Sequence, residues 1–531
     1  MNLRPRHHIP TLAWFVLFFS IALSVVFLAR GNNYHPQLQV STPDQISMQF
    51  LMRAQDTISA CEKVLTRIKQ TVTVNCPTCT ISTQQCTSQL SSQQERILSD
   101  APLSQPSAHI PDGVITYSAP KSADALAACM GTQQNAPPGK PITCYAPDSE
   151  RKYFTPKTGW VDPLNIAYAF LILILAQLVA KFVCYLTIRY EHMHAHLSHD
   201  TSDGPQKFHA MPTPRIGGVA IIAGLLVSSA ALTILPQSFP DKDFGLLLLA
   251  AMPAFIGGLT EDITKKVGVA QRLLLTMLSA GFGAWLLGAT LYRLDIPGID
   301  TLMQWAPLAI AFTVFAVAGA TNAINIIDGY NGLAAGYSII VLAAMAFVSA
   351  QLGDTFLLTA NLAMIGSLLG FLVWNWPGGK IFLGDGGAYL LGFWLAEMAV
   401  LIVARHPEVS VWFPLLLMIY PVFETLFSIY RKKFLRNHSP GHPDGLHFHM
   451  LIYKRLVRLY VCTNDPKLKI KRNSLVCWYI WALTLPCALL GAITWGNPPI
   501  LLIGIIGFCV TYVWIYISVM KWKTSKYLQL R

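Results

Sequence analysis

Apolar residues fill most of this chain in long blocks separated by short polar turns. Twelve blocks are long enough to cross a bilayer, near 11–29, 164–188, 215–235, 244–259, 272–292, 305–325, 333–352, 355–375, 386–404, 411–429, 474–494 and 499–520. Unbroken blocks of this length predict helices, because in lipid each backbone N–H and C=O must be satisfied within its own segment. Residues 31–163 differ in being largely polar. Within them, Met48, Leu51, Met52, Ile58, Cys61, Val64 and Ile68 recur at helical spacing, which predicts an amphipathic helix or a short coiled-coil arm over Ile46–Val74. Thr80–Gln105 is rich in Ser and Gln and predicts irregular chain, and Pro137-Pro138-Gly139 predicts a loop. The predicted fold is an all-α polytopic membrane protein. It has about 11 core transmembrane helices, one extra N-terminal span and a small Cys-containing extracytoplasmic insert. Four parts follow: an anchor at 1–30, the polar segment 31–163, a multispan domain at 164–520 and a tail at 521–531.

Composition agrees, with 53% of the 531 residues hydrophobic and only 12% charged. The net charge of +12 would suit nucleic acid if it formed one patch, but it does not. Lys and Arg concentrate in alternate turns: Arg4 and Arg6; Arg189, Lys207 and Arg215; Lys265, Lys266 and Arg272; the run from Arg431 to Arg472; and the tail. The intervening short turns carry only Lys242, Arg293 and Arg405. This is the positive-inside pattern, so the basic turns are expected in the cytoplasm against anionic lipid, with no nucleic acid partner. Residues 31–163 then lie outside the cytoplasm, and they hold six of the eleven cysteines. That compartment favours up to three disulfides. Cys76 and Cys79 lack a His at the spacing zinc would need. The first block ends Phe27-Leu28-Ala29-Arg30, a poor cleavage site, which predicts an uncleaved anchor. For 31–163 only a spacing role or an unknown extracytoplasmic partner can be named.

Candidate chemistry sits in the turns expected on the cytoplasmic side. Asn322, Asn325, Asp328 and Asn331 follow one another at intervals of three, so the first three share a helix face and can aim oxygens at one point. Gly329 and Gly332 permit a tight bend after them. A second turn, GGLTEDITKKVGVAQR, places Glu261 and Asp262 beside Lys265, Lys266 and Arg272. A third, GPQKFHAMPTPRIGG, offers Lys207 and Arg215, with Gly217 and Gly218 opening a span to close approach. His192, His194 and His196 precede it, but alternate residues on a helix diverge, which favours a solvated or headgroup-facing cluster over a metal site. A fourth turn, NWPGGKIFLGDGG, sets Asp385 among glycines at a helix start, a place that attracts anions while the carboxylate attracts a cation. Phe382 can offer a flat face to a base. The fifth, RNHSPGHPDGLHFHM, brings Asp444, His447 and His449 among basic residues. Asp262, Asp328 and Asp385 are thus expected on one membrane face around a hard divalent ion, a pattern suited to phosphoryl transfer onto a lipid.

The motifs PTPRIGG, GLTED, NAINIIDGYNGLAAG, FLGDGGAYLLG and HFH resemble, in order, those of the polyprenyl-phosphate N-acetylhexosamine-1-phosphate transferases. The resemblance covers about two thirds of the chain, from 164 to 520, and leaves the first 160 residues outside. It implies a bacterial inner-membrane enzyme that moves a sugar 1-phosphate from a UDP-N-acetylhexosamine to undecaprenyl phosphate with release of UMP. The active site would be cytoplasmic and 31–163 periplasmic. Mg²⁺, or Mn²⁺ in its place, would be held by Asp385 with Asn325 close by. Asp262 and Asp328 would complete the acidic centre. Phe382 would stack on uracil, Asn331 would bond its edge, and Lys265 or Arg272 would neutralise phosphate. His447 and His449 would belong to the loop closing over the substrate. Glu261 departs from the aspartate usual in the family at the position proposed as a base, so its role is open. The loop HPDGLHFHM lacks the three consecutive histidines of the muramoyl-pentapeptide branch, which favours UDP-GlcNAc. A homodimer is one assembly such a chain could adopt. The rival from another class is a multispan lipid or glycolipid transporter, whose site would sit nearer the bilayer midplane.

Overall fold

The computed structural model describes residues 34–52, 58–88, 94, 97, 103–110, 113–134, 143–147, 161–193, 213–235, 241–435, 445–457 and 466–521. The expected anchor at 1–30, Lys207, Asp444 and the histidines from His194 to His209 lie outside the described residues. The chain divides into two compact units, Met1–Trp160 and Val161–Arg531.

The helix expected over Ile46–Val74 forms only in its second half, Ile58–Asn75, and the first half holds a strand, Ser47–Met52. The first unit carries strands β1 (His35–Ser41) and β2 (Ser47–Met52), helix α1 (Ile58–Asn75), strands β3 (Thr80–Thr87), β4 (Ser107–Ile110) and β5 (Gly113–Ser118), helix α2 (Ser122–Gln134) and strand β6 (Thr143–Tyr145). All pairings are antiparallel and the order is β3-β1-β2-β5-β4-β6. The unit is therefore two copies of one motif, strand-strand-helix-strand, in which the third strand returns to pair with the first. The copies meet through β2 and β5, with Phe50 opposite Ile115. Met48 and Phe50 pack into both apolar clusters, one with Leu38, Val40 and Leu65 and the other with Ile115, Tyr117, Ala125 and Cys129, so both helices cover one face of the sheet.

Disulfides repeat this symmetry. Cys61–Cys86 ties α1 to β3, Cys129–Cys144 ties α2 to β6, and Cys76–Cys79 closes the turn after α1. Each helix-to-strand bond would stabilise so small a unit by about 3 kcal/mol. Peptide mapping of unreduced protein is expected to recover these three pairs and to find Cys184, Cys477, Cys487 and Cys509 as free thiols. A Cys61–Cys76 peptide would contradict the fold.

The regular elements described in the second unit are helices. Its principal helices are α3 (Pro163–Arg189), α4 (Gly217–Leu232), α5 (Asp241–Thr264), α6 (Val269–Leu287), α7 (Ala306–Ile327), α8 (Leu333–Gln351), α9 (Thr355–Asn375), α10 (Gly384–Arg405), α11 (Trp412–Leu417), α12 (Ile419–Tyr430), α13 (Pro466–Thr494) and α14 (Pro498–Met520). Among the described residues nine helices are long and apolar enough to span a membrane, and this is a multi-pass membrane protein. Two of the predicted spans take other forms: α4 is shorter, and the block 411–429 is split at Met418 into α11 and α12.

Helices α8, α9 and α10 form the interior, while α3, α6 and α14 turn apolar faces outward. Small residues let the backbones close up, as in lipid they must where no hydrophobic force drives helices together. Ala169, Ala176, Ala180 and Cys184 make a buried stripe on α3. Gly366 and Gly370 of α9 face it so closely that an added Cβ would stand 2.1 Å from Leu173 O and 2.4 Å from Gln177 O.

Candidate active site

The site is built around the start of α10. Gly384 has φ +75°, a conformation L side chains resist, and an added Cβ would meet Arg215 O at 2.0 Å. The strand-like segment before α4 zips onto the segment before α10: Phe382 N donates to Pro214 O at 2.8 Å, Gly217 N to Phe382 O at 2.9 Å and Gly218 N to Leu383 O at 3.0 Å. The paired glycines at 217 and 218 thus admit another helix start.

Asp262, in the last turn of α5, caps α10 from the other side. Its carboxylate accepts the backbone N–H of Asp385 at 2.9 Å and of Gly386 at 2.8 Å, and it is 1% exposed. A free helix N-terminus is partly positive, so a buried carboxylate is well placed there. Both oxygens serve the helix start, which makes Asp262 the support under Asp385 and differs from the cavity-facing acid expected of it.

Asp385 carries the polar contacts that converge. Arg272, from the first turn of α6, pairs with Oδ2. Arg215 lies 3.4 Å from Oδ1 and 3.7 Å from Asp262. Asn325 Nδ2 donates to Oδ1 at 3.2 Å. Three helix ends and one helix entry therefore meet at one carboxylate. Beside it opens a cavity of about 350 Å³ whose lining includes Arg215, Asn325, Asp328, Asn331, Phe382, Asp385 and His447, together with Tyr330, Asn375 and Met450. Burial pushes the Asp328 carboxyl up to about 7 against the pull of Arg215, with Asp385 and Asp262 adding to the rise.

The turn after α7 is held in place by amides. Asn375 accepts Gly332 N at 2.6 Å and donates to Ile381 O at 2.8 Å, joining the turns that follow α7 and α9. Asn331 N donates to Asn473 at 2.8 Å and Nδ2 to Pro377 O at 3.3 Å, while its buried Oδ1 has no partner among the described residues.

The two histidines stack, with ring centroids 5.5 Å apart and planes 4° from parallel. His447 lines the cavity and bonds Glu424 through Nδ1 at 2.9 Å. His449 lies deeper, its Nδ1 3.2 Å from Tyr420 OH and its ring edge-on to Tyr330. Burial and then His447 drive its pKa down to about 3, so His449 is neutral at physiological pH.

The remaining expected residues stand apart from the cavity. Asn322 donates back to Ala318 O at 2.8 Å and lies 3.5 Å from Thr276, so it joins α7 to α6. Glu261 accepts Val267 N at 2.7 Å and shapes the turn between α5 and α6. Lys265 occupies the tip of that turn at φ 56° and is exposed. Sequence reading left Asn375, Tyr330, Met450 and Glu424 unassigned and gave Arg215 only a general cationic role. The PRIGG and NWPGG motifs held the signal for Arg215 and Asn375.

The donor set fits a hard divalent ion better than zinc. Asp385, Asn325 and Asp328 offer oxygens at the cavity wall, and among the described residues no three His, Cys, Asp or Glu side chains gather as a closed metal cage. Mg²⁺ binds in this way, through one or two carboxylates with phosphate and water supplying the rest.

Residues 244–403, from α5 to near the end of α10, match glycosyl transferase family 4. Similar proteins include a probable undecaprenyl-phosphate N-acetylglucosaminyl 1-phosphate transferase of Bacillus subtilis, 30% identical over 46% of this chain and 66% of the relative. A phospho-N-acetylmuramoyl-pentapeptide-transferase of Moorella thermoacetica is 31% identical over 55% of this chain and 87% of the relative. An undecaprenyl-phosphate alpha-N-acetylglucosaminyl 1-phosphate transferase of Thermotoga maritima is 29% identical over 47% and 72%. With its motifs in order, their turns gathered around Asp385 and these likenesses to named members, the chain belongs to the polyprenyl-phosphate N-acetylhexosamine-1-phosphate transferases.

Proposed function

We propose that this protein transfers N-acetylglucosamine 1-phosphate from UDP-GlcNAc to undecaprenyl phosphate, releasing UMP and starting a cell-envelope glycan. The observation that carries this reading is the convergence of Arg215, Arg272 and Asn325 on Asp385 at the start of a membrane helix. Cations, amide donors and a carboxylate there suit a diphosphate whose far end is a lipid acceptor. The charged groups stand at helix ends, where a transporter's would sit near mid-bilayer.

Mg²⁺ would be held by Asp385 with Asn325 and Asp328, and when bound it would neutralise charge on the diphosphate. Arg215 and Arg272, which pair with Asp385, would also share the phosphate charge. Phe382 would stack on uracil, and Oδ1 of Asn331, which has no partner among the described residues, would accept a uracil N–H. Neutral His449 would back the His447 ring. No base is required of Glu261, because a phosphate monoester is already largely dianionic near neutral pH. The site would face the cytoplasm of a bacterial inner membrane, with 31–163 in the periplasm.

The relatives act on more than one sugar by name, so the donor decides the reading. Purified full-length protein with undecaprenyl phosphate and Mg²⁺ is expected to release UMP from UDP-GlcNAc in preference to UDP-GalNAc or the UDP-muramoyl pentapeptide. Chelation should stop it, and Mn²⁺ should restore it. Failure to release UMP from any donor would remove the enzyme reading.

A further inference from the structure

Glu424 is a charged side chain in an apolar setting, 0% exposed on α12. Such a group is costly unless each oxygen is engaged. Oε1 accepts from His447 Nδ1 at 2.9 Å. Oε2 accepts from Phe448 N at 3.2 Å and from Tyr512 OH of α14 at 2.6 Å. Four residues before it on the same helix, Tyr420 reaches His449. One face of α12 thus holds both stacked imidazoles. The segment they belong to is clamped further by Arg431 and Tyr516, both bonded to Leu446 O.

We propose that Glu424 is a positioning residue for His447. A carboxylate only accepts, so Nδ1 must carry the proton, and Nε2 is the nitrogen left for the cavity. Glu424 also offsets the positive charge of the ring when Nε2 bears a proton beside a substrate phosphate. Tyr512 and Phe448 N fix the carboxylate in turn, so the chain of orientation runs from α14 through α12 to the site. This rests on the transferase reading, and one arm of its test does not.

Glu424→Gln keeps the size of the side chain and removes the second acceptor. Its oxygen stays with Phe448 N and Tyr512, its NH₂ faces His447 Nδ1, and the imidazole proton is forced to Nε2. UMP release per enzyme should fall by about a hundredfold, with KM for the nucleotide sugar changed by less than about threefold. Glu424→Asp should recover part of the loss, and Tyr512→Phe should cost a few-fold. In a His447→Ala background Glu424→Gln should cost almost nothing more. A structural role would instead add in both backgrounds and lower thermal stability. Independently of activity, ¹⁵N-histidine spectra of the full protein in lipid, assigned by His447→Ala, should show His447 protonated on Nδ1 and moved to Nε2 by Glu424→Gln. If wild-type protein releases no UMP, the transferase reading fails while the spectrum still decides this one. A wild-type His447 protonated on Nε2 alone, unchanged turnover in Glu424→Gln, or an equal cost with and without His447 would each overturn it.

Discussion

Asp385→Asn is expected to lower UMP release by about a thousandfold or more while the protein stays folded. The two halves of this expectation have separate causes. Asp385 supports the fold through its backbone N–H, which Asp262 accepts, and Asn leaves that bond in place. Its side chain carries the site: Arg215, Arg272 and Asn325 all aim at it. The amide has the same shape without the charge, so two guanidinium groups lose this counter-ion and a divalent ion would lose one of its anionic ligands. Nucleotide sugar binding should suffer less than turnover, since the freed arginines still attract the diphosphate. Thermal unfolding, UMP release and donor binding on one preparation separate these effects. Near-normal turnover would show that the reacting phosphates are held elsewhere.

Gly258→Ala should be almost as damaging, for a reason of space. Gly258 lies in α5 against the start of α10, and an added Cβ would stand 2.4 Å from Asp385 O, 2.5 Å from its carbonyl carbon and 2.6 Å from Gly386 N. Those are backbone atoms of a capped helix turn and cannot swing aside as a side chain tip could. Either α10 is pushed off Asp262 or α5 bends, and each moves the Asp385 carboxylate. Overpacking of this kind costs about 1–3 kcal/mol, and a shift of about an ångström can cost a hundredfold in rate. Gly281→Ala is the control, because nothing lies within 4 Å of a Cβ built there. It should leave activity intact and stabilise slightly through helix propensity. If both substitutions are harmless, close contact between α5 and α10 does not set the site.

The membrane domain was legible because lipid imposes one rule on every span. Blocks such as 333–352 and 386–404 have only the helical solution, and their ends fall within a few residues of α8 and α10. The gathering of turns was legible from charge, since Asp262, Asp328, Asp385 and Arg272 share the basic side of the chain. What spacing could not tell was which of them faces the cavity. Each step of three on a helix drifts by about 60°, so Asn322 points to α6 while Asn325 meets Asp385. The helix then stops at Ile327, which frees Asp328 from the pattern. Asp262 looked like a ligand because sequence does not show that a helix start with free N–H groups lies beneath it.

The polar unit misled for another reason. Met48, Phe50 and Met52 alternate as a strand, but Ile58, Cys61, Leu65 and Ile68 follow at helical spacing, and a single window merges the two periods. Strand β3 lies at the sheet edge and presents Gln and Ser to solvent, so its apolar signal is only Ile81 and Cys86. The doubled strand-strand-helix-strand order emerges only from pairing between distant segments.

The most direct test follows the phosphorus atoms. UDP-GlcNAc labelled on the phosphate next to the sugar is incubated with undecaprenyl phosphate and wild-type protein, and in parallel with donor labelled on the phosphate next to uridine. A transferase of sugar 1-phosphate sends the first label into the lipid and the second into UMP. Release of UDP, or a lipid product without the first label, would contradict it.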